Sequence, residues 1–142
     1  MIALDTQHIS QHQAPGSRDR AVLDSKLTAN PDCWITVITP FEQLKEVLGK
    51  INRHSAQPEK QLAFYALLHA LLTYYAEWWH GRILPFDQRA LAVYQSLDAR
   101  LIRRIGDRDA RIGAIPLAHG ATANVRDFQS LPGLQVEDWL SP

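Results

Sequence analysis

Four acids in this sequence stand at junctions between segments of different character: Asp5, Glu42, Asp109 and Asp127. Asp5 closes the apolar run Met1-Ile2-Ala3-Leu4, and Glu42 follows Thr39-Pro40 at the start of a helical pattern. Asp109 lies just past Gly106, and Asp127 just past the small-residue stretch Ala121-Thr122-Ala123-Asn124. Carboxylates brought to one place repel one another and raise one another's pKa values. A hard divalent cation such as Mg²⁺ or Mn²⁺ relieves that repulsion; it prefers oxygen ligands, keeps several waters and bridges readily to a phosphate. Such a site orients and deprotonates a water for in-line attack on phosphorus. Each acid also has a plainer reading. Acids in the first turn of a helix complement its dipole, worth ~0.3–1 kcal/mol, and Asp127 reads equally as a turn residue. The chemistry therefore depends on which elements carry these residues.

Residues 1–6 predict a first, central strand that delivers Asp5 to the mouth of a sheet, where ligands of open α/β sheets bind. Residues 11–17 contain Pro15-Gly16 and predict a loop. Residues 18–28 have the spacing of a short amphipathic helix, stopped by Ala29-Asn30-Pro31-Asp32. Residues 33–38 are β-branched and aromatic and predict a second strand. Thr39 then suits an N-cap, Pro40 the first helical position and Glu42 the third residue of a capping box, which puts Glu42 in a first turn. Residues 59–79 predict a long helix that is apolar almost all round. Such a helix is buried on more than one side, which points to a partner surface as well as a core. Residues 82–86 predict a short third strand, and Asp87 caps a helix running to about Arg103 and broken at Gly106. Residues 107–117 predict another helix with Asp109 in its first turn, residues 121–124 a fourth strand followed by Asp127, and residues 135–139 a terminal edge strand. This alternation predicts an α/β fold with a mostly parallel sheet, in which strand ends and the first turns of the following helices share one rim.

Length and composition agree with one domain spanning 1–142: hydrophobic residues make up 46% and charged residues 21%, near globular norms. Fifteen basic and fifteen acidic residues cancel, so any basic footprint must be local. Arg100, Arg103, Arg104, Arg108 and Arg111 form one around Asp109, suited to phosphate contacts or to a solvated helix face with intrachain pairs. The single Cys33 excludes a disulfide framework within the chain and a multi-cysteine metal site. The six histidines lack metal-ligand spacing; His8, near Asp5, is placed to touch the site, but reads first as a surface or capping residue. No Gly-rich phosphate loop occurs. The opening stretch is strand-like rather than signal-like, and no apolar run approaches the ~20 residues of a membrane span, so a cytoplasmic location without membrane attachment is expected.

Leu4-Asp5-Thr6, Ile38-Thr39-x-x-Glu42-x-Leu44, Arg104-Ile105-Gly106-x-x-Asp109-x-x-Ile112 and Asn124-x-x-Asp127-Phe128 resemble, in order and interval, the four acidic motifs of PIN-domain proteins of the VapC type. Residues 83–87 and 131–139 look like the third and last strands of the same family, so the resemblance covers essentially the whole chain. It implies a three-layer α/β/α PIN-like fold and a metal-dependent endoribonuclease, the toxin of a toxin–antitoxin pair. By the same resemblance Asp5, Glu42 and Asp109 match the metal-binding acids and Asp127 a fourth. The implied cofactor is Mg²⁺ or Mn²⁺, and the implied partners are an RNA substrate (tRNA or rRNA), a cognate antitoxin and a second copy of the chain in a homodimer. The alternative is a catalytically impaired PIN-like protein that keeps only antitoxin binding or self-association. A phosphatase with an aspartyl-phosphate intermediate would need a second Asp where Gln7 stands.

Overall fold

The computed structural model describes residues 1–124, 131–135 and 139. Among them the sheet has strands β1 (Ile2–Leu4), β2 (Cys33–Thr36), β3 (Ile83–Leu84) and β4 (Thr122–Asn124), in the order β3-β2-β1-β4. All three pairings are parallel, with Ile2 opposite Cys33 and Thr122, and Leu4 opposite Ile35 and Asn124. Parallel strands covered on both faces read as short continuous apolar runs, as these do. Their side chains still alternate. Leu4, Cys33 and Ile35 pack with Ile9, Leu23, Leu27, Val47, Leu71 and Trp79 on one face. Ala3 and Leu84 pack with Ala90 and Ile115 on the other, joined by Trp34.

The first face is covered by α1 (Thr6–Gln13), α2 (Arg18–Ala29), α3 (Ile38–Arg53) and α4 (Pro58–Trp78), the second by α5 (Gln88–Ser96) and α7 (Asp107–His119). This is the expected three-layer α/β/α arrangement. The buried face of α7 is built from Ala110, Ile112, Gly113, Ala114, Ile115 and Pro116. Its small residues let the helix lie close over Ala3 and Ala123 of the central strands. Where a Pro replaces the amide, the helix loses one internal hydrogen bond; the Pro116 carbonyl, in turn, accepts from Ala121 N–H at 2.8 Å, carrying the chain into β4.

Four elements differ from expectation. Residues after Asp5 form α1 rather than an open loop, because Asp5 caps them: its side chain accepts from the His8 amide. The helix after β2 begins at Ile38, one turn's fraction earlier than a Thr39 cap would allow, and its N-cap Val37 makes no side-chain bond. Thr39 is instead buried inside the helix, and Glu42 falls beyond the first turn. The helix after Asp87 is interrupted at Leu97, and Asp98 caps a separate α6 (Ala99–Ile105) by accepting from Arg100 N at 2.7 Å. An Asp preceding two free amides is worth more as a cap than in a helix interior. Finally, α4 buries Leu71 and Tyr75, with Trp79 just beyond it, but leaves Leu62, Tyr65, Leu67 and Leu72 exposed, Leu62 at 72%. It is buried along one side, and its other apolar side faces outward. The expected edge strand at 135–139 falls mostly outside the described residues, although the Gln135 carbonyl accepts from Ala123 N–H at 2.8 Å. No helix among the described residues is long and apolar enough to cross a membrane.

Helix α1 is held at its far end by a buried polar cluster. His12 Nδ1 lies 2.6 Å from the Tyr74 hydroxyl and Nε2 lies 2.6 Å from Asp24 Oδ1. The ring also packs edge-on against Trp78 at 4.6 Å between centroids. Burial pushes the Tyr74 phenol up to about 12.

Candidate active site at the carboxyl rim

Parallel strands β1 and β2 deliver their carboxyl ends to the same side, and α7 starts there too. Asp5 follows the last residue of β1. Its Oδ1 accepts from His8 N–H at 2.9 Å and also makes a short contact with His8 Nδ1. That contact makes Nδ1 the protonated ring nitrogen. The His8 ring is buried, not at the surface, and its Nε2 meets no hydrogen-bond partner among the described residues. The Thr36 hydroxyl, at the end of β2, is buried and unpartnered as well. It shares a narrow crevice with Asp5, Ile112, Pro116 and Ala123. Unmet buried polar atoms are few in folded proteins; the others among the described residues are Trp79 Nε1 and His119 Nε2.

Glu42 joins Asp5 through the residue next to it. Thr6 Oγ1 lies 3.3 Å from Glu42 Oε2 and 3.3 Å from Thr39 Oγ1. Each hydroxyl has one proton, so Thr39 can donate to Thr6 while Thr6 donates to the carboxylate. This is the role the buried Thr39 takes in place of a cap. Asp109, in the first turn of α7, joins Glu42 through Arg108: the guanidinium Nε lies 3.0 Å from Asp109 Oδ1 and 3.3 Å from Glu42 Oε1. The Asp109 hydrogen bond and the charges of Glu42 and Asp109 hold the Arg108 guanidinium above its ordinary range. Side-chain exposure is 15% at Asp5, 22% at Glu42, 27% at Asp109 and 66% at Arg108. The acids are thus recessed, with the cation lying over them. Asp107 belongs to a different set, paired with Arg111 at 3.1 Å and with the Tyr94 hydroxyl.

Three of the four sequence-identified acids therefore come to one rim. Asp127 lies outside the described residues. As placed, no three His, Cys, Asp or Glu side chains among the described residues stand close enough to hold a metal ion; Arg108 stands between Glu42 and Asp109. The donors nonetheless fit a hard divalent cation in kind: recessed carboxylates from β1, α3 and α7, with the orphaned Thr36 hydroxyl beside Asp5.

A groove of about 1060 Å³ opens from this rim, lined by Thr6, Glu42, Lys45, Arg53, Arg108 and Arg111 among others. Its walls carry four cations, Lys45, Arg53, Arg108 and Arg111, against three acids, Glu42, Glu46 and Asp107. Sequence alone assigns no site role to Thr6 or Thr39, and singles out Arg108 only as one of five arginines suited to phosphate contacts. The signal for His8 is its position three residues after an N-capping Asp, which folds its ring back over the cap.

A three-layer fold with a parallel sheet, and acids from β1, α3 and α7 gathered at the carboxyl rim, defines a PIN-like protein. No family model matches the chain. The chain is 30% identical over 135 residues to Toxin FitB of Neisseria gonorrhoeae, an alignment covering 92% of this chain and 90% of that protein. Its fold matches FitAcB from Neisseria gonorrhoeae with a TM-score of 0.70 at 25% identity, covering 98% of each chain. It also matches FitAB bound to a DNA fragment, with a TM-score of 0.71 at 24% identity, covering 100% of this chain and 98% of that one. VapBC2 from Rickettsia felis, bound to a fragment of its promoter DNA, matches with a TM-score of 0.70 at 20% identity over 98% and 99% of the two chains. The chain belongs to the PIN-domain, VapC-type family of toxins from toxin–antitoxin pairs.

Proposed function

We propose that the chain is a metal-dependent endoribonuclease, the toxin of an antitoxin-controlled pair, hydrolysing RNA phosphodiester bonds at a Mg²⁺ or Mn²⁺ site. The observation that carries this reading is that Asp5, Glu42 and Asp109, from three elements, stand on one rim, with Thr6 bonded to Glu42 and Arg108 bridging Glu42 and Asp109. Asp5 and Asp109 would hold the ion, with Asp127 as an auxiliary ligand. When bound, the ion would neutralise charge on the scissile phosphate and acidify the attacking water. The chain's own residues do the rest. His8 fixes the orientation of the Asp5 carboxylate, and Thr6 that of Glu42. Glu42 takes the proton of the attacking water at a carboxylate oxygen. Lys45, Arg53 and Arg111 line the path of the RNA backbone and supply sequence-independent phosphate contacts.

The relatives were solved as toxin–antitoxin complexes, FitAB and VapBC. By analogy a cognate antitoxin binds this chain. The exposed Leu62, Tyr65, Leu67 and Leu72 on α4, with Phe41 and Leu48 on α3, supply apolar surface for association with it and with a second copy of the chain. A cytoplasmic location accords with a reading that needs cellular tRNA or rRNA as substrate.

Expression of the wild type in a bacterial host, paired with cleavage of total RNA by the purified protein in Mn²⁺, tests the proposal. Growth arrest and cleavage by the wild type, both lost in Asp5→Asn and Asp109→Asn, are expected. Arrest that persists unchanged in both variants would sink it. The second reading, a non-catalytic antitoxin-binding protein, is favoured by the placement of Arg108 on two of the acids. It predicts no Mn²⁺-dependent cleavage alongside intact antitoxin binding.

A further inference from the structure

Arg108 is the cation already present among the acids. Its Nε is within 3.3 Å of Glu42 and 3.0 Å of Asp109. The neighbouring cation Arg111 goes elsewhere, to Asp107, and its guanidinium also lies over the Tyr94 ring at 5.4 Å. So one arginine on α7 is committed to a structural acid and the other to two acids of the candidate site. We propose that Arg108 is a place-holding cation that a divalent ion must displace, so that the chain opposes metal loading of its own site.

The inference rests on the metal-dependent reading above. Its physical basis is competition. Glu42 and Asp109 repel each other when both are ionised, and one positive charge between them relieves that. The guanidinium does so in the absence of metal. A divalent ion does so more strongly but cannot share the same oxygens with a neighbouring positive charge at little cost. Arg108 is mostly exposed, and its pairs are therefore weak enough to be broken. The adjoining groove gives the displaced side chain room.

Calorimetric titration with MnCl₂ at fixed ionic strength, on the purified full chain, tests this in the wild type, Arg108→Ala, Arg108→Gln and Arg111→Ala. Exposure of Arg108 to solvent means that both of its variants should fold, which thermal melting without metal verifies. The two Arg108 variants are expected to bind Mn²⁺ about three- to tenfold tighter than wild type, the fold-change equivalent of losing two exposed ion pairs. Arg111→Ala is expected to change affinity less than about twofold, as a screened charge with its own partner. Unchanged or weaker binding in both Arg108 variants would overturn the proposal, since Arg108 would then be neutral or would organise the acids for the ion. An equal gain in Arg111→Ala would overturn it in favour of a general charge effect. If the wild type and every variant fail to bind Mn²⁺, the metal-dependent reading falls and this inference with it.

Discussion

The two ends of α1 carry the same pair of groups to different effect. His8 and His12 lie one turn apart, both are buried, and each meets a carboxylate. His12 is satisfied on both nitrogens, by Asp24 and Tyr74, and is packed on Trp78. His8 is satisfied on one: Nδ1 reaches Asp5, while Nε2 meets no partner among the described residues. A saturated buried polar network rigidifies a fold; a half-saturated one is costly and persists where something else uses the vacant atom. The C-terminal end of α1 is thus an anchor. The N-terminal end is the part of the helix that serves the rim, and its accuracy depends on the anchor.

The sharpest way to break this comparison is at the two ends in turn. Asp5→Ala should reduce Mn²⁺-dependent RNA cleavage by about 10²–10⁴-fold, through loss of the ligand that the rim begins with. Its stability cost should be only ~1 kcal/mol, that of a lost N-cap, read by urea denaturation. His12→Ala reverses the pattern. It leaves Asp24 and Tyr74 without their shared partner and opens a cavity beside Trp78, a loss of ~2–4 kcal/mol, while cleavage per folded molecule should stay near wild type. His8→Ala lies between, with a cleavage defect of ~10–100-fold from a misoriented Asp5 carboxylate and a smaller stability loss. Equal effects of His8→Ala and His12→Ala on both readouts would erase the distinction.

Smaller effects sharpen the anchor's description. The Tyr74 phenol titrates at about 12 in the folded chain because burial penalises its charged form. A free phenol titrates near 10, so its contribution is fully present below pH ~10 and is lost as pH rises from there through about 12. Urea denaturation between pH 9 and 12 should show this decline, and Tyr74→Phe should flatten it. The smallest expected change is at the outward face of α4. Leu62→Glu should alter stability by less than ~0.5 kcal/mol, yet weaken self-association or antitoxin binding in sedimentation and pull-down measurements.

The sequence carried much of this arrangement, for identifiable reasons. The second strand was legible because Cys33–Thr36 is a short run of β-branched and aromatic residues. Asp5 and Asp109 were legible because each sits where an element begins or ends. What sequence concealed was competition for the same residues. Thr39 has every property of an N-cap, but its hydroxyl is used by Thr6, and the helix starts at Ile38 without it. Residues 97–98 look like the interior of one helix until Asp98 is seen to cap the next. His8 looks like a surface or capping residue until Asp5 is seen to be an N-cap, which brings the His8 ring back over it. Arg108 looks like one of five similar arginines, and only its reach from α7 to Glu42 on α3 singles it out.

We propose that Asp5 and Asp109 hold one divalent ion beside Glu42, and that Arg108 occupies this place until the ion arrives. A crystal structure of the chain grown with Mn²⁺, with the ion located by its anomalous scattering, tests it most directly. The account predicts one peak at the carboxyl rim, within ~2.0–2.3 Å of oxygens of Asp5 and Asp109, with Arg108 turned into the groove. A peak elsewhere, or none, with Arg108 still bridging Glu42 and Asp109, would contradict it.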